Sequence, residues 1–227
     1  ALPIYCWPDS YEHFHIAARA RIRAKVAAIA GEPERAVSLL ALAATHLDRA
    51  RIRIVVVSGP PATGKTTLAR SLGAATGWPV LRSDEIRAEL AGPDRPRGGA
   101  LDSGVHDPVW DARTYAELMA RAQVHLEHGE SVILDATFAD PARRDAVVAL
   151  ASTTASDAIV LRCDAPPALC AARAAARAER GEDVSDADAA ITLALGARYP
   201  RWPVAHPIDT AERGDATVAA LRATVTA

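Results

Sequence analysis

The stretch Gly59-Pro60-Pro61-Ala62-Thr63-Gly64-Lys65-Thr66-Thr67 decides how this chain is read. It fits G-x-x-x-x-G-K-[ST], the pattern of a loop that wraps phosphate groups. Its flanks supply the context that the pattern requires. Ile52 to Val57 is an apolar, β-branched run that predicts a buried strand, and Thr66 to Leu72 predicts a helix. A strand that ends in such a loop and opens a helix aims several backbone N–H groups at one point, where the helix N-terminus adds its partial positive charge. Gly59 and Gly64 permit backbone angles and a close phosphate approach that a Cβ would obstruct. Gly59, Pro60, Ala62, Thr63, Gly64, Lys65, Thr66 and Thr67 are therefore the expected nucleotide-binding residues. Lys65 would reach the β- and γ-phosphates, and the Thr66 hydroxyl would ligate Mg²⁺.

Outward from this loop, apolar runs alternate with helical patterns. Val80-Leu81-Arg82 predicts a second strand, Ser131 to Leu134 a third, Ala158 to Cys163 a fourth, and Val204 to Asp209 a last one. Helices are expected between them, at 85–90, 110–128, 141–150, 168–180 and 186–199, with a closing helix after Asp215. Strands alternating with helices predict a parallel sheet of about five strands, covered on both faces, with all strand C-termini on one edge. The run 92–99, rich in Gly and Pro, reads as a loop. Residues 10–50 read as two helices broken at Gly31-Glu32-Pro33. Tyr11, Phe14, Ala18, Ile22, Val26 and Ile29 recur there at helical spacing, and Arg19, Arg21, Arg23 and Lys25 read as a solvated face. This divides the chain into an N-terminal helical appendage, 1–50, and an α/β domain, 51–227.

The candidate chemistry lies at the ends of the predicted strands. Asp84 follows the second strand, where a carboxylate would accept the proton of a hydroxyl; its bland alternative is a helix N-cap. Arg87 is one turn on and would hold Asp84 or clamp an anionic acceptor. Asp135 follows the third strand, in the position of a carboxylate that holds Mg²⁺ through water or orients the acceptor, with Thr137 nearby. Arg173, Arg177 and, less firmly, Arg180 recur at helical spacing after the fourth strand. Arginines carried over the phosphates by a closing lid would stabilise transferring charge. Arg95 and Arg97 read as solvated loop charge. His125 and His128 have no cysteine or carboxylate constellation around them and read as surface residues. His13 and His15 take no role.

Composition sets limits on the rest. The 227 residues are 50% hydrophobic, with a formal net charge of -2 and a sequence pI of about 6.4. This supports one α/β domain with an appendage, and gives no global basic character to attract nucleic acid. The three cysteines, Cys6, Cys163 and Cys170, form no C-x-x-C pair, which predicts buried, reduced thiols and a cytoplasmic setting. No apolar run approaches the ~18 residues that read as a membrane span. The N-terminus lacks the basic start and apolar core of a signal peptide, and it lacks Met, as a processed chain or an excised piece would.

Taken in order, the phosphate loop, Ser83-Asp84-x-x-Arg87, Leu134-Asp135-Ala136-Thr137-Phe138 and the Arg-rich segment resemble the AAA-type P-loop kinases related to polynucleotide kinase, zeta toxin and gluconate kinase. The resemblance covers about residues 52–225. It implies the P-loop NTPase fold with an Arg-rich helical lid, ATP with Mg²⁺, and phosphoryl transfer to a hydroxyl. It also implies that Asp84 is the general base, that Arg87 contacts the acceptor, and that Arg173 or Arg177 contacts the ATP phosphates. A narrower likeness is to bacterial kinase domains fused to an aminoglycoside-phosphotransferase-like domain. Tyr11-x-x-Phe14-x-x-x-x-Arg19-x-Arg21-Ile22-Arg23-Ala24-Lys25-Val26-Ala27 is similar to the last helices of that partner, and Leu81 to Arg87 and Val184-Ser185-Asp186-Ala187 are similar to the kinase part. An upstream phosphotransferase-like domain is implied in this way. The acceptor stays open between a small metabolite (a sugar, nucleoside or antibiotic), a polynucleotide 5′-hydroxyl and a nucleotide sugar. The rival is an ATP-binding regulatory module with no acceptor. Oligomeric state is not legible.

Overall fold

The computed structural model describes residues 7–92, 108–180, 192–193, 196–197, 199–211, 219 and 221. Its elements follow in the order α1 (Asp9–Ile29), α2 (Pro33–Arg49), β1 (Arg53–Ser58), α3 (Lys65–Thr76), β2 (Val80–Arg82), α4 (Ser83–Ala91), α5 (Pro108–Glu127), β3 (Val132–Asp135), α6 (Pro141–Thr153), β4 (Asp157–Asp164), α7 (Pro167–Arg180) and β5 (His206–Asp209). The five strands form one parallel sheet in the order β2-β3-β1-β4-β5. The expected sheet is therefore present, with strand and helix ends moved by at most four residues. The two shifts that bear on chemistry are at Ser83 and Asp84, which lie inside α4, and at Asp135, the last residue of β3.

Period-two alternation builds both layers of the core. Ile54 and Val56 of β1 join Val132, Leu134 and Val160 on one face, under Leu118, Ala122 and Leu126 of α5 and Val147 of α6. Val55 and Val57 join Ile133 and Leu161 on the other face, under Leu68 and Leu72 of α3. Burial on both faces is why β1 reads as an unbroken apolar run. A parallel sheet sends every strand C-terminus to one edge, so Gly59, Ser83, Asp135 and Thr210 meet there.

The appendage is a helical hairpin with an unexpected polarity. Ala17, Ala20, Ala24 and Ala27 of α1 and Ala36 and Ala43 of α2 are the buried residues of these helices. The stripe Tyr11, Phe14, Ile22, Val26 and Ile29 lies on the opposite side of α1 and is exposed, Ile29 to 88%. Small side chains let two helix backbones approach closely, and larger ones would hold them apart. His13, given no role from sequence, meets His46 across the hairpin with their Nδ1 atoms 3.2 Å apart. Arg19, Arg21, Arg23 and Lys25 are exposed, as read from the sequence. The hairpin is fastened to the sheet domain by Ser10 Oγ, which donates to Gly129 O at 2.6 Å, and by the Arg53 guanidinium, which donates to Arg51 O and Asp48 O.

Several expectations fall outside the described residues. These are Cys6, the loop with Arg95 and Arg97, the side chain of Arg180, the segment Val184 to Ala187, and most of the 186–199 helix and of the closing helix after Asp215.

Candidate active site

The phosphate loop leaves β1 with three strained or permissive positions. Gly59 has φ +135°, and a Cβ there would stand 2.6 Å from Cys163 O on β4, so no other residue fits without moving that strand. Ala62 has φ +61°, a left-handed angle uncommon outside glycine, held by packing against Cys170 and Ala174 of α7. Gly64, at φ +93°, ends the loop as the N-cap of α3, and no side chain caps that helix. The first-turn N–H groups are thus left to an anion. Pro60 O accepts from Thr63 Oγ1 and from Lys65 Nζ, each at 2.8 Å. Thr67 is exposed on the first turn of α3.

Lys65 is hemmed in by the loop, and this desolvation pushes its pKa below the ordinary lysine value; the Asp135 and Asp84 carboxylates oppose the shift, and Arg177 adds to it. Asp84, Asp135 and Arg177 therefore all lie near enough to Lys65 to act on its charge. Thr66 Oγ1 donates to Asp135 Oδ2 at 2.7 Å. A hydroxyl whose proton is committed to a carboxylate keeps its lone pairs for a cation, and an all-oxygen pair of this kind suits Mg²⁺. Asp135 is 5% exposed.

Asp84 is not an N-cap. Arg82 holds that position on α4, and the Asp84 carboxylate is turned to Arg87 Nη1, 2.9 Å away. Arg87 Nη2 reaches Asp111 Oδ1 at 3.2 Å, while its Nε is buried with no hydrogen-bond partner among the described residues. Arg143 completes a row by donating to Asp111 Oδ2 at 3.3 Å, its guanidinium 4.8 Å from the centre of the Tyr115 ring. Thr137, which the sequence places beside Asp135, bonds instead to the tyrosines around it. Its hydroxyl is 3.1 Å from Tyr115 OH, and its carbonyl accepts from Tyr199 OH at 2.7 Å. Burial pushes the Tyr115 phenol up to about 12, so it stays a hydrogen-bonding strut and not an acid.

From the far side, α7 brings its arginines to the loop. Arg173 Nη2 donates to Thr210 O at 2.8 Å. Arg173 Nη1 is buried without a hydrogen-bond partner among the described residues, and lies 3.7 Å from where a Cβ on Gly64 would sit. An unsatisfied guanidinium nitrogen beside the first turn of α3 fits a phosphate oxygen. Arg177 is half-buried on the same helix, near enough to Lys65 to act on its charge. Burial raises the Cys163 thiol to about 12 and also raises Cys170, which makes both small apolar packers, as the sequence suggested. His125 Nδ1 lies 2.7 Å from Glu130 Oε2 and His128 Nδ1 lies 2.6 Å from Val124 O, both at the surface.

Four contributors went unseen in the sequence. Arg82, Tyr115, Arg144 and Thr210 each have at least one partner 16 to 147 residues distant, and no motif spans such gaps. Arg144 is the clearest case. Its guanidinium is spent on the carbonyls of Phe138, Pro200 and Arg201, which ties the segment carrying Tyr199 down beside the strand edge.

Known proteins share the sequence or the fold of this chain. An uncharacterized protein of Mycobacterium tuberculosis strain H37Rv is 40% identical over 212 residues, which cover 90% of this chain and 42% of that protein. The chain thus spans less than half the length of the curated relatives it matches. Among solved structures, a candidate kinase from Chloroflexus aurantiacus superposes with a TM-score of 0.60 at 24% identity, over 77% of this chain and 96% of its own. The Mycobacterium tuberculosis APS kinase CysC, in complex with AMPPNP and APS, gives 0.58 at 17% identity, over 78% and 99%. Chaetomium thermophilum Kti12, in complex with ADP-AlF3, gives 0.56 at 20%, over 76% and 96%. The fold is that of these P-loop proteins. With the AAA domain family model matching residues 54–201, across the loop, Asp84, Asp135, Arg173 and Arg177, the chain belongs to that family.

Proposed function

We propose that this protein is an ATP-dependent phosphotransferase that moves a γ-phosphoryl group to a hydroxyl. The observation that carries this reading is Asp84. A nucleotide switch needs the phosphate loop, but it has no use for a carboxylate held by an arginine at the same strand edge, near enough to the loop lysine to act on its charge.

The roles follow from position. Lys65 and the N-terminus of α3 bind the phosphates, and Arg173 and Arg177 close on them from α7, where they offset charge that spreads over the transferring group. Arg87 orients Asp84. Asp84 takes the acceptor proton as the hydroxyl oxygen bonds to phosphorus and the bond to the leaving phosphate breaks. Thr66 and Asp135 would hold Mg²⁺, which supplies charge neutralisation at the β- and γ-oxygens when bound. The acceptor is a small metabolite or a polynucleotide 5′-end; the net charge of -2 suits the former, and the Asp84–Arg87 pattern suits the latter.

The test is transfer of labelled γ-phosphate from ATP with Mg²⁺, to a 5′-hydroxyl oligonucleotide and, separately, to a panel of sugars and nucleosides. Asp84→Asn should keep ATP affinity and lose transfer by at least ~10²-fold. Equal transfer by that variant would remove Asp84 from the mechanism. Acceptor-independent phosphate release, unaffected by Asp84→Asn, would support a regulatory ATPase module instead.

A further inference from the structure

Arg82 has no part in the reaction set out above, yet it is a buried cation at the strand edge, 7% exposed. A buried charge persists only where it is paired. The partners of Arg82 are the prospective cation ligands themselves. β2 and β3 are in register at Arg82 and Asp135, so the two side chains leave the sheet side by side on one face. Arg82 Nε donates to Asp135 Oδ2 at 3.1 Å, and Nη2 lies 3.4 Å from Thr66 Oγ1. Nη1 is held by Glu85, one turn into α4, which also lies 3.7 Å from Arg70. One oxygen, Asp135 Oδ2, therefore receives both the Thr66 hydroxyl and the Arg82 guanidinium. A divalent cation that approached Thr66 and Asp135 would meet a fixed positive charge within hydrogen-bond reach of both.

We propose that Arg82 is a built-in counter-ion that prevents the Thr66–Asp135 pair from taking a divalent cation by itself, so that the cation enters only together with nucleotide phosphates. The negative charge of the phosphates outweighs the single positive charge of Arg82; two protein oxygens, one of them already neutralised, do not. Arg82 is in these terms a positioning residue, which sets the order of loading and touches no reacting atom. The alternative is a plain strut between β2 and β3, and it predicts the opposite sign: removing a strut loosens the site and weakens cation binding. The inference rests on Thr66 and Asp135 being the cation ligands.

The test measures Mn²⁺ binding by magnetic resonance of the free ion and by calorimetry, with and without AMPPNP. Arg82→Gln should bind Mn²⁺ without nucleotide at least ten-fold more tightly than the native chain, and Asp135→Asn added to it should erase the gain. Arg70→Gln removes a cation that shares Glu85 but does not touch Asp135, and it should leave Mn²⁺ affinity unchanged. Equal or weaker Mn²⁺ binding by Arg82→Gln overturns the proposal, as does a comparable gain in Arg70→Gln, which would reduce it to general charge. Should Arg82→Gln fail to fold by melting and circular dichroism, Arg82→Lys carries the test, with an intermediate gain expected and native affinity overturning it. Asp135→Asn should weaken Mn²⁺ binding in the presence of AMPPNP. No weakening there would remove the cation assignment itself, whereas weakening there with native affinity in Arg82→Gln would sink only the role of Arg82.

Discussion

Helices α1 and α7 are both rich in alanine and arginine, and they do different things. Both bury a small-residue face. In α1 the alanines meet another helix, and Arg19, Arg21 and Arg23 end in solvent. In α7 Ala174 and Cys170 meet Ala62, inside the phosphate loop, and that one contact brings Arg173 and Arg177 to bear on the site. Arginine spacing is equally suggestive in both helices. What separates a solvated face from a lid is the identity of the surface that the alanines sit on.

The sharpest way to break this contrast is to remove the arginines. Arg173→Ala should lower turnover by about 10²–10³-fold, the usual scale for a donor aimed at developing charge, while Arg19→Ala leaves turnover as it is. Steady-state kinetics at saturating acceptor read both, and equal effects would dissolve the distinction. Overpacking the two alanine faces comes next. Ala174→Leu and Ala20→Leu should each cost ~1–3 kcal/mol in denaturant unfolding, but only the first should weaken nucleotide binding, because only its neighbour carries phosphate ligands.

A smaller effect has the reverse sign. Lys65 is held below its ordinary pKa by desolvation, so the unfolded chain binds the proton more readily, and nucleotide-free stability rises with pH from the folded pKa up to the unfolded one. Lys65→Met should therefore raise the nucleotide-free melting temperature while it removes the thermal shift given by ATP. A lower melting temperature would show that the Lys65–Pro60 hydrogen bond matters more than the desolvation. Smallest of all, Ile29→Ser on the outer face of α1 should stay within ~0.5 kcal/mol of the native chain, since 88% of that residue is already in water.

These contrasts also mark what a linear reading reaches. The loop, Asp84, Arg87 and Asp135 were legible because each stands within a few residues of a strand end, and a parallel sheet delivers strand ends to one place. Arg173 and Arg177 were legible as candidates by helical spacing alone. The inward alanines of α1 were not, because periodicity finds a helix and its apolar stripe but not which stripe a neighbour covers. Arg82 went unseen for a different reason: its side chain has local partners, but its meaning comes from Asp135, 53 residues on. Thr137 looked available beside Asp135, and only the position of Tyr115 on α5 shows that its hydroxyl is already engaged.

Thr210, just past β5, has its hydroxyl within reach of Thr63 O in the phosphate loop and of Asp164 O at the end of β4. The two ends of the first of these contacts are 147 residues apart. On a ribosome that adds ~5–20 residues per second, Thr63 emerges about 7–30 s before its clasp does. This clasp on the phosphate loop thus becomes available only after the α7 residues that pack on Ala62 have emerged.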